Sequence, residues 1–425
     1  MLDIKLIRKN KKNIEDRLKA KDQNISLDSI FDLDSQILKL KAQVEELQSQ
    51  RNAHAKEIGI KKKEGLDVKD LLSKIEGSKK LLISLELELS QLEESLHSQL
   101  LFLPNLPAED IIHSLDISKN KCLRVYGEKK TFDFKPKNHL ELNENLHLFD
   151  FKRGAKIAGS GWPTYKGLGA RLEWALICYM IDFHVQNGYE QWMLPIVGKE
   201  PIMIGSAHLP KFEHQLFKFH EGEHQLYMIP TSEAALNGLH FDEIIKRDAL
   251  PLKYCAYTPC FRREAGAAGV GERGLIRTHQ FNKVEMFCIC QQDQSNQLFN
   301  EMVRNAEQIL KNLDMHFKSV ELVSGDISFA ASKTIDLEVW LPGQERYYEV
   351  SSISNCTDFQ SRRSKIREKK DNEKPCFAHT LNGSGLATSR LMVALLENNQ
   401  TISGEVSIPQ ALRKYLGGQE TISAN

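Results

Sequence analysis

Thr258 to Phe287, TPCFRREAGAAGVGERGLIRTHQFNKVEMF, reads as strand, glycine-rich loop and strand, the pattern of an antiparallel hairpin with a long connection. Residues 280–287 alternate, which places Phe281, Lys283, Glu285 and Phe287 on one face. A core strand has no use for lysine and glutamate between two phenylalanines unless that face lines a wet cleft. On the other strand Arg262, Arg263 and Glu264 follow the apolar Phe261. Arginine presents a planar fork of donors and keeps its charge, so Arg262 and Arg277, on either side of the loop, are placed to clamp a phosphate. A surface ladder of ion pairs would use the same residue types. Gly269, Gly271 and Gly274 match GxGxxG literally, but a dinucleotide fingerprint follows a strand and opens a helix, whereas this one leads into a strand.

Towards the N-terminus the period changes. Ile30, Leu33, Ile37, Leu40, Val44 and Leu47 are spaced by threes and fours, and so are Ile75, Ser78, Leu82, Leu85, Leu89, Leu92 and Leu96. Gly59 and Gly65 bracket the segment between the two series. The spacing predicts an antiparallel coiled-coil hairpin with arms over residues 28–59 and 66–101. Arms of about 30 residues at ~1.5 Å each reach roughly 45 Å. The tip is basic, with Arg51, Lys56, Lys61, Lys62 and Lys63 against Glu57, Glu64 and Asp67. Such a tip is either a solvated turn or a contact for a polyanion. Pro104 and Pro107 end the second helix, so residues 1–104 form an N-terminal domain and residues 105–425 a second one. In the second, strands and helices follow in irregular order, which predicts an α+β fold on an antiparallel sheet. A helix is expected over residues 168–187, capped by Gly188, then a strand over 189–194; another helix is expected over 291–313.

The chain of 425 residues has 57 Lys plus Arg and 57 Asp plus Glu, so net charge gives no support to a nucleic-acid partner and only local patches could. No apolar run has the ~18 residues of a membrane span, and no hydrophobic leader is present. Eight scattered cysteines without a CxxC fit a reducing, cytoplasmic setting. His214, His220 and His224 match no zinc spacing, and no zinc is expected. No GxxxxGK[ST] occurs. Glu349 and Ser352 offer the hard oxygens that Mg²⁺ accepts beside phosphates and water. His379 to Arg390 reads as strand, glycine turn and a helix from about Ala387, with Ser384 in the turn and no GxSxG elbow.

Taken together, these stretches resemble the class II aminoacyl-tRNA synthetases. Pro195 after a long helix and a strand resembles motif 1, Phe261-Arg262-Arg263-Glu264 with its loop motif 2, and the segment ending in Arg390 motif 3. Within the class the chain resembles the seryl-tRNA synthetase family over residues 1–416. The likeness is carried by Met1-Leu2-Asp3, Leu209-Pro210-Lys211-Phe212, residues 277–285, Asp358-Phe-Gln-Ser-Arg362-Arg363, residues 379–387 and the arm. The resemblance implies a class II catalytic domain, a homodimer, and the substrates ATP, L-serine and tRNA(Ser), with tRNA(Sec) as a further acceptor. It implies that Arg262 holds the α-phosphate, Glu264 the adenine amino group and Arg390 the γ-phosphate. Phe281 would stack on adenine, and Arg263, Val350 and Ser351 would lie beside the nucleotide. Glu349 and Ser352 would hold Mg²⁺. Thr231, Ser232, Glu233, Glu285, Asn382 and Ser384 would form the serine pocket, with Arg277 on the carboxylate. The arm, including Arg51, Lys56, Lys61, Lys62 and Lys63, would lie along the tRNA.

Adenylate formation fits the residues found: the serine carboxylate is itself the nucleophile, so charged clamps without a nucleophile–base pair are what the reaction needs. Departures from the family pattern are Ser232 and Ala234, Gly271-Glu272-Arg273 in the loop, Ile353, Ser389 and Ile196; none removes a charged ligand. Two alternatives stay open at the level of sequence: a ligase that loads an amino acid onto a carrier protein, and a non-catalytic tRNA-binding relative.

Overall fold

The computed structural model describes residues 1–264 and 274–424. The GxGxxG stretch therefore lies, apart from Gly274, outside the described residues, and so does the Gly271-Glu272-Arg273 departure. The chain forms two compact units: one holds Leu2–Lys19 and Gln23–Pro104, the other Met1, Ala20–Asp22 and Asn105–Asn425.

The first unit has two short helices, α1 (Ile4–Lys9) and α2 (Lys11–Lys19), then two long ones, α3 (Asp28–Lys63) and α4 (Lys69–Leu101). The heptad positions Ile30, Ile37, Leu40 and Val44 of α3 and Leu82 and Leu96 of α4 are buried, while most other positions face solvent. Lys41 pairs with Glu93 at 2.6 Å across the two helices. The first helix runs four residues beyond the expected stop at Gly59, because a single glycine inside a helix costs only ~1 kcal/mol. Lys61, Lys62 and Lys63 thus sit in the last helical turn rather than in the connection, where their charge complements the helix dipole. The turn is made at Gly65, whose φ of +73° lies in the left-handed region.

The second unit is built on one eight-stranded sheet. In chain order its strands are β1 (Lys121–Tyr126), β2 (Glu190–Trp192), β3 (Leu252–Phe261), β4 (Gln280–Cys290), β5 (Phe317–Glu321), β6 (Lys333–Leu341), β7 (Arg346–Thr357) and β8 (His379–Ala387). Across the sheet the order is β1-β5-β6-β7-β8-β4-β3-β2. Every pairing is antiparallel except the short edge pair of β2 with β3. Three helices, α5 (Leu168–Gln186), α6 (Ser295–Asn312) and α7 (Thr388–Asn398), share one apolar core with the sheet. Helix α7 is buried all round from Leu391 to Leu396, as a helix enclosed by the fold must be.

Strand β4 explains the mixed face seen in sequence. Val284, Met286, Cys288 and Cys290 point into the helical core. Phe281, Lys283 and Glu285 line a cleft on the other side. Phe287 and Ile289 continue that second side into a smaller core with Leu236, Ile245, Tyr254 and Ala256, so Phe287 serves packing alone. Two expectations are corrected. The strand expected over 189–194 is only Glu190–Trp192. The glycine turn expected before Arg390 does not exist: Gly383 and Gly385 lie within β8, which runs straight into α7. Glycine is needed there for close approach, since a Cβ on Gly385 would stand 2.3 Å from Nε2 of His184.

Candidate active site

The middle of the sheet opens into a cleft of about 400 Å³. Its walls come from the residues just after β3, from β4, β7 and β8, from the start of α7, and from loops around residues 206–212, 231–233, 276–278 and 328–330. Twelve residues expected from the sequence line it: Arg262, Glu264, Arg277, Phe281, Glu349, Ser352 and Arg390, together with Thr231, Glu233, Glu285, Asn382 and Ser384.

The arginines are held in three ways. The Arg262 guanidinium lies 5.2 Å from the centre of the Phe281 ring, and its Nε donates to the Pro230 carbonyl at 3.3 Å. Arg390, in the first turn of α7, reaches back to Glu349, donating to its main-chain oxygen at 3.1 Å and pairing with its carboxylate at 3.2 Å. Arg277 donates through Nε to Glu264 at 2.6 Å. In this state the groups expected to read adenine and the amino-acid carboxylate are therefore partners of each other.

Below them is a polar floor. Lys283 is ion-paired with Glu285 and donates to the Thr231 hydroxyl at 2.7 Å, while Thr231 donates to Glu285 at 3.2 Å. Glu233 stands across from this triangle. One of its oxygens takes hydrogen bonds from Gln360 at 2.6 Å and Asn382 at 3.0 Å, both neutral amides. Burial first, and the Glu285 charge second, push the Glu233 carboxyl up to about 7. Such a carboxyl is poised to become fully ionised when a cation arrives.

Four expected residues keep their side chains out of the cleft. Arg263 is exposed; its backbone N–H donates to Gln215 at 2.9 Å. Ser232 is buried against Thr258, at 2.7 Å between the hydroxyls. Val350 belongs to the helical core, and Ser351 donates to the Ser384 carbonyl at 2.6 Å. A bulge accounts for the last pair: the pairing of β6 with β7 shifts between Leu337 and Glu338, leaving Val350 as the extra residue, so Glu349 and Ser352 both line the cleft although they are three apart.

Sequence reasoning assigned no role to several residues found here. Lys283 was visible as the charge between Phe281 and Glu285. His208, also in the lining, gave no signal; burial, helped by Arg262 and Lys283, holds its imidazole down at about 3, so it is neutral. Asp336 stands opposite Ser352 in the pairing of β6 with β7, and its Oδ1 is buried with no hydrogen-bond partner. Burial and the neighbouring Glu349 raise its carboxyl well above the usual range. An orphaned carboxylate oxygen behind Glu349 and Ser352 fits a hard divalent cation at this end of the cleft. Among the described residues, no group of three or more His, Cys, Asp or Glu side chains is already gathered around a metal position. No helix of the described residues is long and apolar enough to cross a membrane.

Known proteins match this arrangement over the whole chain. Residues 212–399 match the tRNA synthetase class II core domain (G, H, P, S and T), and residues 1–107 match the seryl-tRNA synthetase N-terminal domain. Serine–tRNA ligase of Chlamydia abortus is 50% identical over 422 residues, covering 99% of this chain and 100% of that protein. The serine–tRNA ligase of Chlamydia pneumoniae is 48% identical, with 99% of each chain covered. Among solved structures, seryl-tRNA synthetase from Pyrococcus horikoshii complexed with ATP superposes with a TM-score of 0.94 at 34% identity, covering 100% of both chains. The cytoplasmic serine–tRNA ligase of Naegleria fowleri in complex with AMP gives 0.88 at 28% identity, covering 100% of this chain and 99% of that one.

Proposed function

We propose, from the premise that this chain belongs to the seryl-tRNA synthetase family, an account of how its cleft activates serine and passes it to tRNA. The chain is an aminoacyl-tRNA ligase, which leaves the carrier-loading and non-catalytic readings without support. The carrying observation is that one cleft brings together two anion clamps, Arg262 and Arg390, and two carboxyls, Glu233 and Glu285, set against Lys283.

ATP lies with adenine over Phe281, its α-phosphate on Arg262 and its γ-phosphate on Arg390. Serine places its ammonium group against Glu233 and Glu285, its hydroxyl among the polar groups of Thr231, Asn382 and Ser384, and its carboxylate towards Arg277. The carboxylate oxygen attacks the α-phosphorus, the bond to the bridging oxygen breaks, and pyrophosphate leaves. Arg262 neutralises charge gathering on the α-phosphoryl oxygens, and the fixed floor holds the carboxylate in line. A terminal ribose hydroxyl of tRNA then attacks the adenylate carbonyl, and AMP departs. Glu349 and Ser352, with Asp336 beside Ser352, would hold Mg²⁺, which would supply further neutralisation of the phosphates. A site that hydrogen-bonds a hydroxyl rejects alanine strongly, because its groups are left unpaired.

The arm bears tRNA(Ser), and tRNA(Sec) too, through the basic tip. The working form is a homodimer: Trp174 and Val185 of α5, with Met193 and Ile196 beyond it, expose an apolar strip, Met193 to 92%, which a second copy would cover. Eight unpaired cysteines suit the cytoplasm. Serine-dependent ATP–pyrophosphate exchange tests the chemistry; no exchange with serine, or equal turnover with threonine, would overturn it. Charging assays with transcribed tRNA(Ser) and tRNA(Sec) test the acceptors.

A further inference from the structure

Helix α5 carries one buried acid that the reaction does not use. Oε1 of Glu173 accepts from Nδ2 of Asn282 at 2.9 Å and from the Thr388 hydroxyl, while Oε2 is buried with no partner. The same Thr388 hydroxyl lies 2.9 Å from the main-chain oxygen of Asn282. At the other end of that amide, Oδ1 of Asn282 accepts from the Tyr257 hydroxyl at 3.1 Å. The Tyr257 ring packs 5.5 Å from Trp174. Two consecutive residues of one helix thus control both ends of one amide side chain, Glu173 directly and Trp174 through Tyr257.

The position of that amide gives the arrangement its meaning. Asn282 lies between Phe281 and Lys283, which both line the cleft. Thr388 opens α7, two residues before Arg390. A buried carboxyl that uses one oxygen is an expensive way to fill space, since burial lifts it to about 7 even against the hydrogen bonds from Thr388 and Asn282. By contrast, Glu233 in the amino-acid end accepts from Asn382 and from Gln360, itself held by Thr380 at 2.7 Å, none of which lies on α5.

We propose that Glu173 is a positioning residue for the nucleotide: from α5 it fixes, through Asn282 and Thr388, both the strand that presents Phe281 and the helix start that presents Arg390. The inference rests on the reading of the cleft given above. It predicts a larger effect on ATP than on serine, because the two side chains that Glu173 holds belong to Asn282, next to Phe281, and to Thr388, two residues before Arg390. It also makes α5 a mechanical link, since its outer face carries Trp174.

The test uses full-length Glu173→Ala and Glu173→Gln in serine-dependent ATP–pyrophosphate exchange, with thermal unfolding alongside. Glu173→Ala is expected to raise the KM for ATP about tenfold while the KM for serine stays within about twofold of wild type. Glu173→Gln keeps an acceptor oxygen for Asn282 and Thr388 and is expected to restore the KM for ATP to within about threefold. The proposal is overturned by an unchanged KM for ATP in Glu173→Ala, by equal rises in both KM values, or by a glutamine variant as defective as the alanine one. Should Glu173→Ala fail to fold, Asn282→Ala reads the same split, and equal KM changes there overturn the proposal too. Wild-type protein without exchange would instead sink the functional reading itself.

Discussion

The arm and the catalytic sheet bury opposite kinds of residue. Between α3 and α4 the contact is a single apolar stripe, with charges pairing along its margins. Inside the sheet domain the buried set includes Lys283, Glu285 and Glu173, each tied to polar partners. An apolar stripe stabilises by area and tolerates change in proportion to what is removed. Buried charges contribute little net stability but fix one geometry. The arm is accordingly a device for reach, and the sheet a device for holding charge where water is scarce.

If this division holds, single substitutions must separate sharply. Arg262→Ala should lower serine-dependent exchange by about a thousandfold or more, the scale of removing a main oxyanion donor, while the unfolding transition barely moves; an active Arg262→Ala enzyme would break the contrast. Glu233→Gln, which keeps size and loses charge, should raise the KM for serine by about ten- to a hundredfold, the range of one charge-assisted hydrogen bond, with the KM for ATP little changed.

The acidity of Glu233 sharpens this further. Its carboxyl sits near 7 in the empty cleft, above its ordinary 4.5, so below pH 7 it is mostly protonated and serine must expel that proton to bind. The KM for serine should therefore rise as pH falls below 7, by up to about tenfold per unit, and the slope should flatten in Glu233→Gln. Stability runs the other way: with the folded value raised, the protonated group favours the empty fold at low pH, and that contribution is lost as pH rises through 7.

In the arm the expected effects are smaller or differently placed. Replacing Lys61, Lys62 and Lys63 by alanine should weaken aminoacylation of tRNA(Ser) about tenfold at moderate salt and reduce its salt dependence, with exchange unchanged. Loss of exchange in that variant would contradict the separation of reach from chemistry. Leu82→Ala, at a buried seam position of α4, should destabilise the arm by about 2–4 kcal/mol and leave exchange at its wild-type rate.

The same contrast explains what was legible in the sequence. A stripe repeating every three or four residues is a local signal, so both long helices could be placed. Only the boundaries at the tip were misjudged: α3 runs on past Gly59, where a glycine bracket was trusted over helix continuity, and α4 starts at Lys69 rather than at 66. The charged ladder Phe281-Lys283-Glu285 was equally local and announced a cleft. Arg390 and Glu349, by contrast, are brought together by non-local pairing, so the sequence offered Glu349 as a hard oxygen ligand but gave no sign that Arg390 meets it. His208, Asp336 and Glu173 stayed hidden, since a lone acid or histidine looks alike in sequence whether it is buried or solvated. The two glycines of β8 were read as a turn because turns are where glycine is commonest, whereas here His184 demands the missing side chain.

The contact between Glu264 and Arg277 has a consequence for the order of events. While the cleft is empty, each occupies the other, so neither is free to attract a stray purine or a stray carboxylate. On the reading proposed above, a nucleotide that engages Glu264 takes one carboxylate away from Arg277, and the amino-acid carboxylate can take its place. Serine should bind more tightly to the ATP-loaded enzyme than to the empty one. By reciprocity ATP must gain the same factor from serine. One ion pair thereby turns two independent recognition events into a joint one, and biases commitment towards having both substrates present.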